Sequence, residues 1–318
     1  MSLSKVYTNW PVTLDADTAQ SGTPVYVNVQ SLSLNNELQT ALARASGDLY
    51  ASYGFLRRGD PAADFTSFDL KEFFDAVGIE EMLIDSGASG DGVKLFFQKM
   101  DKGGTRKSHS SGEHMSTTIG DGVLYGTTVE LPAGGDGQVT ARIIALSSDG
   151  STHPLSFSES ASLPSGVNPQ VDAMYTAGKV DLNGTELDGK QSVTINLGPN
   201  PTSARHADSD IYPTHVSMES FAPTIEIITQ HIDITSTLDE AGSYYGAGNV
   251  VVYARKRSEG GALVDAATAE HMSFTMGKCR IEVSSIDTDP KQARILCTPW
   301  DTPGGVAQIA INTATAIS

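Results

Sequence analysis

Apolar and polar residues alternate along Val193-Thr194-Ile195-Asn196-Leu197, the pattern of a strand with one buried face. Leu32-Ser33-Leu34 alternates in the same way. Thr224-Ile225-Glu226-Ile227-Ile228 follows Pro223, so the proline stands at a strand entrance where no ladder donor is missed, and Phe65 and Phe68 occupy the comparable place upstream. Val93–Phe97 and Val250–Tyr253 are the most apolar strand candidates, each followed by a Gly-Gly turn. Beyond them come Met115–Gly120 and Met272–Gly277. Two hairpins are predicted next. Val123–Leu131 turns through AGGDG into Val139–Leu146, and Arg280–Ile286 turns through DTDPK into Ala293–Pro299. One helix stands out: Leu70, Phe73, Phe74 and Val77 share a face, with Asp69 as N-cap, Glu72 completing a capping box and Gly78 as the stop. ITSTLDEAG, residues 234–242, occupies the corresponding place in the second half as a shorter helix.

The pattern repeats. Val93–Gly120 aligns without a gap on Val250–Gly277 at a shift of 157 residues, placing Gly103-Gly104 on Gly260-Gly261 and Glu113-His114-Met115-Ser116 on Glu270-His271-Met272-Ser273. Gly47–Leu70 aligns on Ser209–Ile232 at a shift of 162, matching Asp48, Tyr50 and Pro61 to Asp210, Tyr212 and Pro223. QSLSLN from Gln30 aligns on QSVTIN from Gln191 at a shift of 161. Three blocks in one order at nearly constant shifts imply an internal duplication. The expected fold class is mainly β with minor α: two tandem homologous β-sandwich or barrel domains, each with a short flanking helix. The expected domains are residues 1–157 and 172–318. Residues 158–171, rich in Ser, Pro and Gly, are expected to form a linker.

Each unit of about 150 residues is long enough to bury its own core. The net charge of −17 is shared between the halves, −9 over residues 1–159 and −8 over 160–318. No basic stripe exists to neutralise phosphates, which argues against specific nucleic-acid binding. The first residues, MSLSKVYTNW, lack an apolar run of signal-peptide type, and no stretch of 18 apolar residues occurs. A soluble protein made in a cytoplasm is expected.

Candidate chemistry is sparse. Glu113-His114 and Glu270-His271 have metal-ligating side chains, but neighbours in a strand point to opposite faces and cannot share one ion. They are read as strand-entry pairs making hydrogen bonds at a domain or subunit contact. No G-x-S-x-G elbow or Cys-His context supports nucleophilic catalysis. AGGDG and DKGGT lack the Lys-Ser/Thr ending of a phosphate loop and read as turns. Asp15, Asp17, Asp208 and Asp210 lack the spacing and closing glutamate of a calcium loop. Cys279 and Cys297 are expected on neighbouring strands as two buried thiols in a reducing compartment. No catalytic, cofactor-binding or metal-binding residue is assigned, and the chain reads as a non-enzyme.

The run VDLNGTELDGKQSVTINLG, then DSDIYPTHVSMESFAPTIEIIT, then VVVYARKRSEGG with AEHMSFTMG, resembles the major tail (tail tube) proteins of tailed bacteriophages. The likeness covers most of the second repeat and reaches the first through the duplication. It implies a virion structural subunit, synthesised in the host cytoplasm, whose inner strands join six domains around a channel. A duplicated chain would build trimeric, pseudo-hexameric rings. Such rings would stack into a tube through long loops, for which Ile79–Gly92 and the termini are candidates. The implied partners are further copies of the chain, other tail proteins, and double-stranded DNA as a passenger that an acidic wall does not grip.

Two other readings fit the same residues. A trimeric capsid or capsid-decoration protein also uses paired β domains. A carbohydrate-binding β-module needs exposed aromatics, and the two tryptophans, Trp10 and Trp300, sit near domain ends.

Overall fold

The computed structural model describes residues 6–9, 11–14, 25–43, 53–80, 82–85, 92–101, 103–164, 173–231, 249–258, 260–300 and 308–317. In the first half the strands are β1 (Val6–Asn9), β2 (Val12–Leu14), β3 (Val25–Val27), β4 (Val29–Asn35), β5 (Gln39–Ala43), β6 (Tyr53–Arg58) and β7 (Ala62–Ser67). Helix α1 (Leu70–Val77) follows, then β8 (Met82–Asp85), β9 (Val93–Met100), β10 (His114–Ile119), β11 (Asp121–Pro132), β12 (Gln138–Leu146) and β13 (Leu155–Ala161). The second half holds β14 (Met174–Leu182), β15 (Thr185–Glu186), β16 (Lys190–Asn196), β17 (Pro199–Ala204), β18 (His215–Phe221) and β19 (Thr224–Thr229). It ends with β20 (Asn249–Arg257), β21 (His271–Gly277), β22 (Cys279–Thr288), β23 (Lys291–Pro299) and β24 (Ala310–Thr315).

The protein is mainly β, with several antiparallel sheets and no closed barrel among the described residues. A nine-stranded sheet runs in the order β22-β23-β19-β16-β11-β12-β7-β4, with β8 also paired to β11. Four of its strands come from the second half and five from the first. Closure would require β22 and β4 to pair, and they stand at opposite ends. The barrel alternative therefore gives way to open sheets. Two smaller sheets complete the layers: β13-β10-β9-β2-β3 with β1 on β9, and β15-β14-β20-β21-β24. β5-β6 and β17-β18 form separate two-stranded hairpins.

Alternation positions the core. Along β12, Val139, Ala141, Ile143 and Ala145 are fully buried while Gln138, Thr140 and Arg142 face the other side. One continuous cluster joins these residues to Val193, Ile195, Ile225 and Ile227 of the same sheet. It also contains Val12, Val93, Leu95, Val250, Val252 and Phe274 of the smaller sheets. The inner face of the large sheet thus shares one apolar interior with both small ones, a layered packing that leaves the outer face polar.

Helix α1 buries Leu70, Phe73, Phe74 and Val77, the four residues of its apolar stripe. Phe74 meets Phe274 of β21 edge to face with centroids 5.7 Å apart, and Thr313 Oγ1 of β24 donates to Asp75 Oδ1 at 2.5 Å. Gly78 ends the helix at φ 75° with its N–H on Phe74 O. The capping box is not formed. The Asp69 carboxylate instead accepts from Asn28 N and Asn28 Nδ2, both at 2.7 Å, because β4 begins beside it.

Ser158–Ala161, placed in the linker by composition, lie in β13, which pairs with β10. A Ser-rich edge strand has the composition of a linker, and only its pairing separates the two. Trp10, Asp15, Asp17 and the segment 234–242 lie outside the described residues.

Candidate assembly surfaces

The two halves meet at a seam within the large sheet. Thr128–Pro132 of β11 pair antiparallel with Ser192–Asn196 of β16, so that Val129 lies opposite Ile195 and Leu131 opposite Val193. All four of these side chains are fully buried. Glu130, between them, points to the polar face opposite Thr194 and accepts from Gln138 Nε2 at 2.7 Å. A bulge at Gly126/Thr128 twists β11 just before the seam, and the Thr127 hydroxyl caps it on Thr140 O at 3.1 Å.

A second contact clamps the halves. The loop between β17 and β18 reaches back to the first half, where Arg205 Nη2 donates to Asp60 Oδ1 at 2.8 Å and to Gly59 O at 3.1 Å. Ile211 N and Tyr212 N both donate to Gly150 O, at 2.8 and 3.0 Å. Gly150 has φ 73°, and a Cβ there would come within 2.3 Å of Asp210 Cγ, so only glycine fits. Asp210 organises the loop by accepting from His206 N and Ala207 N. These bonds are turn chemistry. Four hydrogen bonds from Ser147, Ser151 and Thr152 surround the neighbouring Asp149. The Thr152 backbone N–H leads in holding its carboxyl far below the usual carboxylate range.

The outer edges of the large sheet differ from the seam. β22 at one end and β4 at the other have no strand partner on their outer sides among the described residues. Ile286 on β22 is 49% exposed, while Leu32 and Leu34 on β4 are half-buried against the core. Unpaired edges of this kind are sites of strand addition unless blocked by charge, proline or short length.

Each Glu-His pair locks one hairpin. His114 Nδ1 accepts from Lys99 N at 3.1 Å and its Nε2 contacts Ser108 O at 2.8 Å; His271 Nδ1 accepts from Lys256 N at 3.1 Å and its Nε2 contacts Asp265 O at 2.9 Å. A carbonyl can only accept, so both rings carry their proton on Nε2. Both histidines are fully buried with both nitrogens engaged, which leaves no lone pair for a metal. The preceding glutamates pair with Lys99 and Lys107, and with Lys256; these lysines hold both carboxyls below their ordinary range. The hydrogen-bonding role expected from the sequence is present. Within the chain its partners lie inside one hairpin. The Gly-Gly turns close the same hairpins, Gly104 and Gly261 sitting at φ 79° and 78°.

Cys279 and Cys297 are buried free thiols on the adjacent strands β22 and β23. Burial raises the Cys279 thiol to about 11 and pushes Cys297 well above its ordinary value. Among the described residues, no group of three or more His, Cys, Asp or Glu stands together to hold a metal ion, and no helix is long and apolar enough to cross a membrane. A depression of about 850 Å³ beside the clamp includes Asp121, Asp149, His206 and Asp210. Of Ile79–Gly92, Met82–Asp85 form β8 on β11, and residues 81 and 86–91 lie outside the described residues.

The outer face of the large sheet is polar, and its arginines are paired with carboxylates. Arg142 pairs with Glu37 and Asp64, Arg280 with Glu282, and Arg294 with Glu226, at 3.0 to 3.7 Å. Trp300 is partly exposed at the end of β23. No protein-family model matches this chain, and no curated protein matches it.

Proposed function

We propose that this chain is a tail tube subunit of a tailed bacteriophage. Three molecules close a pseudo-hexameric ring, and rings stack into a conduit for double-stranded DNA. The observation that carries the reading is the seam, where one half continues the sheet of the other edge to edge and leaves, among the described residues, a matching strand unpaired on its outer side at each end.

The reading treats the halves as two copies of one folding unit, and the strand orders support it. β4-β7-β12-β11 in the first half corresponds to β16-β19-β23-β22 in the second, and β13-β10-β9 with β1 and β2 corresponds to β24-β21-β20 with β14. Irregularities recur at matched places. The bulge at Gly126/Thr128 corresponds to that at Val283/Ser285, and the bulge at Val29/Ser31 to that at Lys190/Ser192. Bulges are specific features of a strand, and four of them falling in two matched pairs favour common descent over convergence on a sandwich. The outer face suits a lumen, since Arg142, Arg280 and Arg294 are already paired to carboxylates.

Electron microscopy of the purified protein tests the reading. Rings or hollow filaments are expected. Discrete trimers or closed shells would favour the capsid role, and a lone monomer at high concentration would sink both.

A further inference from the structure

We infer that the free edge β22 of one molecule pairs antiparallel with β4 of the next in one fixed register. Ser285 lies opposite Asn35, Ile286 opposite Leu34, and Asp287 opposite Ser33. The inference rests on the proposed ring and names the contact that closes it.

The register follows from the seam by two chains of pairings. On the donor side, Ala63 faces Ile143, which faces Leu124; in the second half Ile225 faces Cys297, which faces Ile281. Pro61 and Pro223 align these strands, so Leu124 corresponds to Ile281 and, past the matched bulges, Thr128 to Ser285, Val129 to Ile286 and Glu130 to Asp287. On the acceptor side, Leu34 faces Ala63 as Ile195 faces Ile225, which makes Asn35, Leu34 and Ser33 the counterparts of Asn196, Ile195 and Thr194. The seam pairs of Thr128 with Asn196, Val129 with Ile195 and Glu130 with Thr194 then translate directly into the interchain pairs.

Side-chain chemistry agrees with the translation. Val129 and Ile195 are fully buried at the seam, whereas Ile286, the counterpart of Val129, is 49% exposed and Leu34 is half-buried. An apolar residue stands at each free edge where the seam buries one. Asp287 accepts from Gln292 Nε2 at 3.2 Å, as Glu130 does from Gln138, and the Ser284 hydroxyl bonds Arg294 O at 3.2 Å, as Thr127 does Thr140 O. β22 is therefore shaped like β11 up to the point where β11 meets its partner. A slip by one residue would turn Ile286 to the polar face, so the register is strongly specified.

Paired cysteines test it in the full chain. Ile286→Cys with Leu34→Cys, and Ser285→Cys with Asn35→Cys, are adjacent pairs. In an antiparallel ladder one of them occupies the closer, non-hydrogen-bonded site, so at least one bridges on oxidation. The native thiols are buried and supply a low background. The expected result is covalent trimers at several-fold higher yield than from the slipped pair Ile286→Cys with Asn35→Cys. Rings in which the slipped pair bridges and the matched pairs do not would overturn the register and leave the tube reading standing. If the wild-type protein forms no ring, the reading fails and the register with it. Should the cysteine variants not assemble, amide exchange on the unmodified protein decides. Residues 285–287 and 33–35 are expected to slow together on assembly, and rings that leave either stretch as fast as in the free chain would overturn the pairing.

Discussion

The seam and the outer edges of the large sheet are built from similar strands and sit in different surroundings. At the seam, β11 meets β16 with Val129, Leu131, Val193 and Ile195 fully buried. At the ends, β22 and β4 present Ile286 and Leu34 in comparable places with no strand paired to their outer sides among the described residues. The fold has thus satisfied one such contact within the chain and left the two halves of another open. Seam residues stabilise the monomer. Edge residues contribute through association, in the proposed ring.

Substitution by a charge separates the two most strongly. Ile195→Asp places a carboxylate in the shared core and is expected to cost about 4 kcal/mol or more, enough to unfold the chain. Ile286→Asp is expected to change the unfolding free energy of the monomer by less than about 0.5 kcal/mol, because the side chain is already half in water, while abolishing rings in sedimentation. Equal destabilisation by both changes would erase the distinction.

The clamp offers a milder break. Gly150→Ala forces a left-handed backbone on a residue with a Cβ and drives it into Asp210, so a loss of roughly 1–3 kcal/mol is expected in urea unfolding. The hairpin locks should respond similarly in both halves. His114→Ala and His271→Ala each leave a buried lysine N–H and a carbonyl without their partner, for about 1–3 kcal/mol apiece. A large effect in one half and none in the other would argue against treating the two hairpins as equivalent.

The smallest effect concerns Tyr175, fully buried on β14 with no hydrogen-bond partner for its hydroxyl among the described residues. Burial first, then the carboxylates Glu72, Asp75 and Glu270, raise its ionisation well above the ordinary value. The unfolded chain releases this proton near pH 10 and the folded chain holds it, so this contribution is present below pH 10 and lost as pH rises above it. Tyr175→Phe is expected to change stability by less than about 1 kcal/mol at pH 7 and to flatten the alkaline decline, both readable from thermal midpoints between pH 7 and 11.

Much of the fold was legible where a signal is local. β4, β16 and β19 announce themselves by alternation, α1 by its apolar stripe, and the histidine hairpins by recurrence at a constant shift. The seam was not legible, because pairing between β11 and β16 joins distant segments and leaves no local mark on either. β13 was hidden by its composition, since LSFSESA is mostly exposed and edge strands carry polar residues on both faces. Asp69 read as a cap from its position. Its bonds to Asn28 depend on a strand some forty residues earlier. The candidate site was the least legible, because an open edge is defined by what does not lie beside it.

A cryo-electron microscopy map of the assembled protein, at a resolution that separates strands, tests the account most directly. It should show the sheet passing unbroken from β22 of one molecule to β4 of the next, with the same spacing as at the seam, three times around the ring. Molecules that meet through other elements, with both edges left facing solvent, would contradict it.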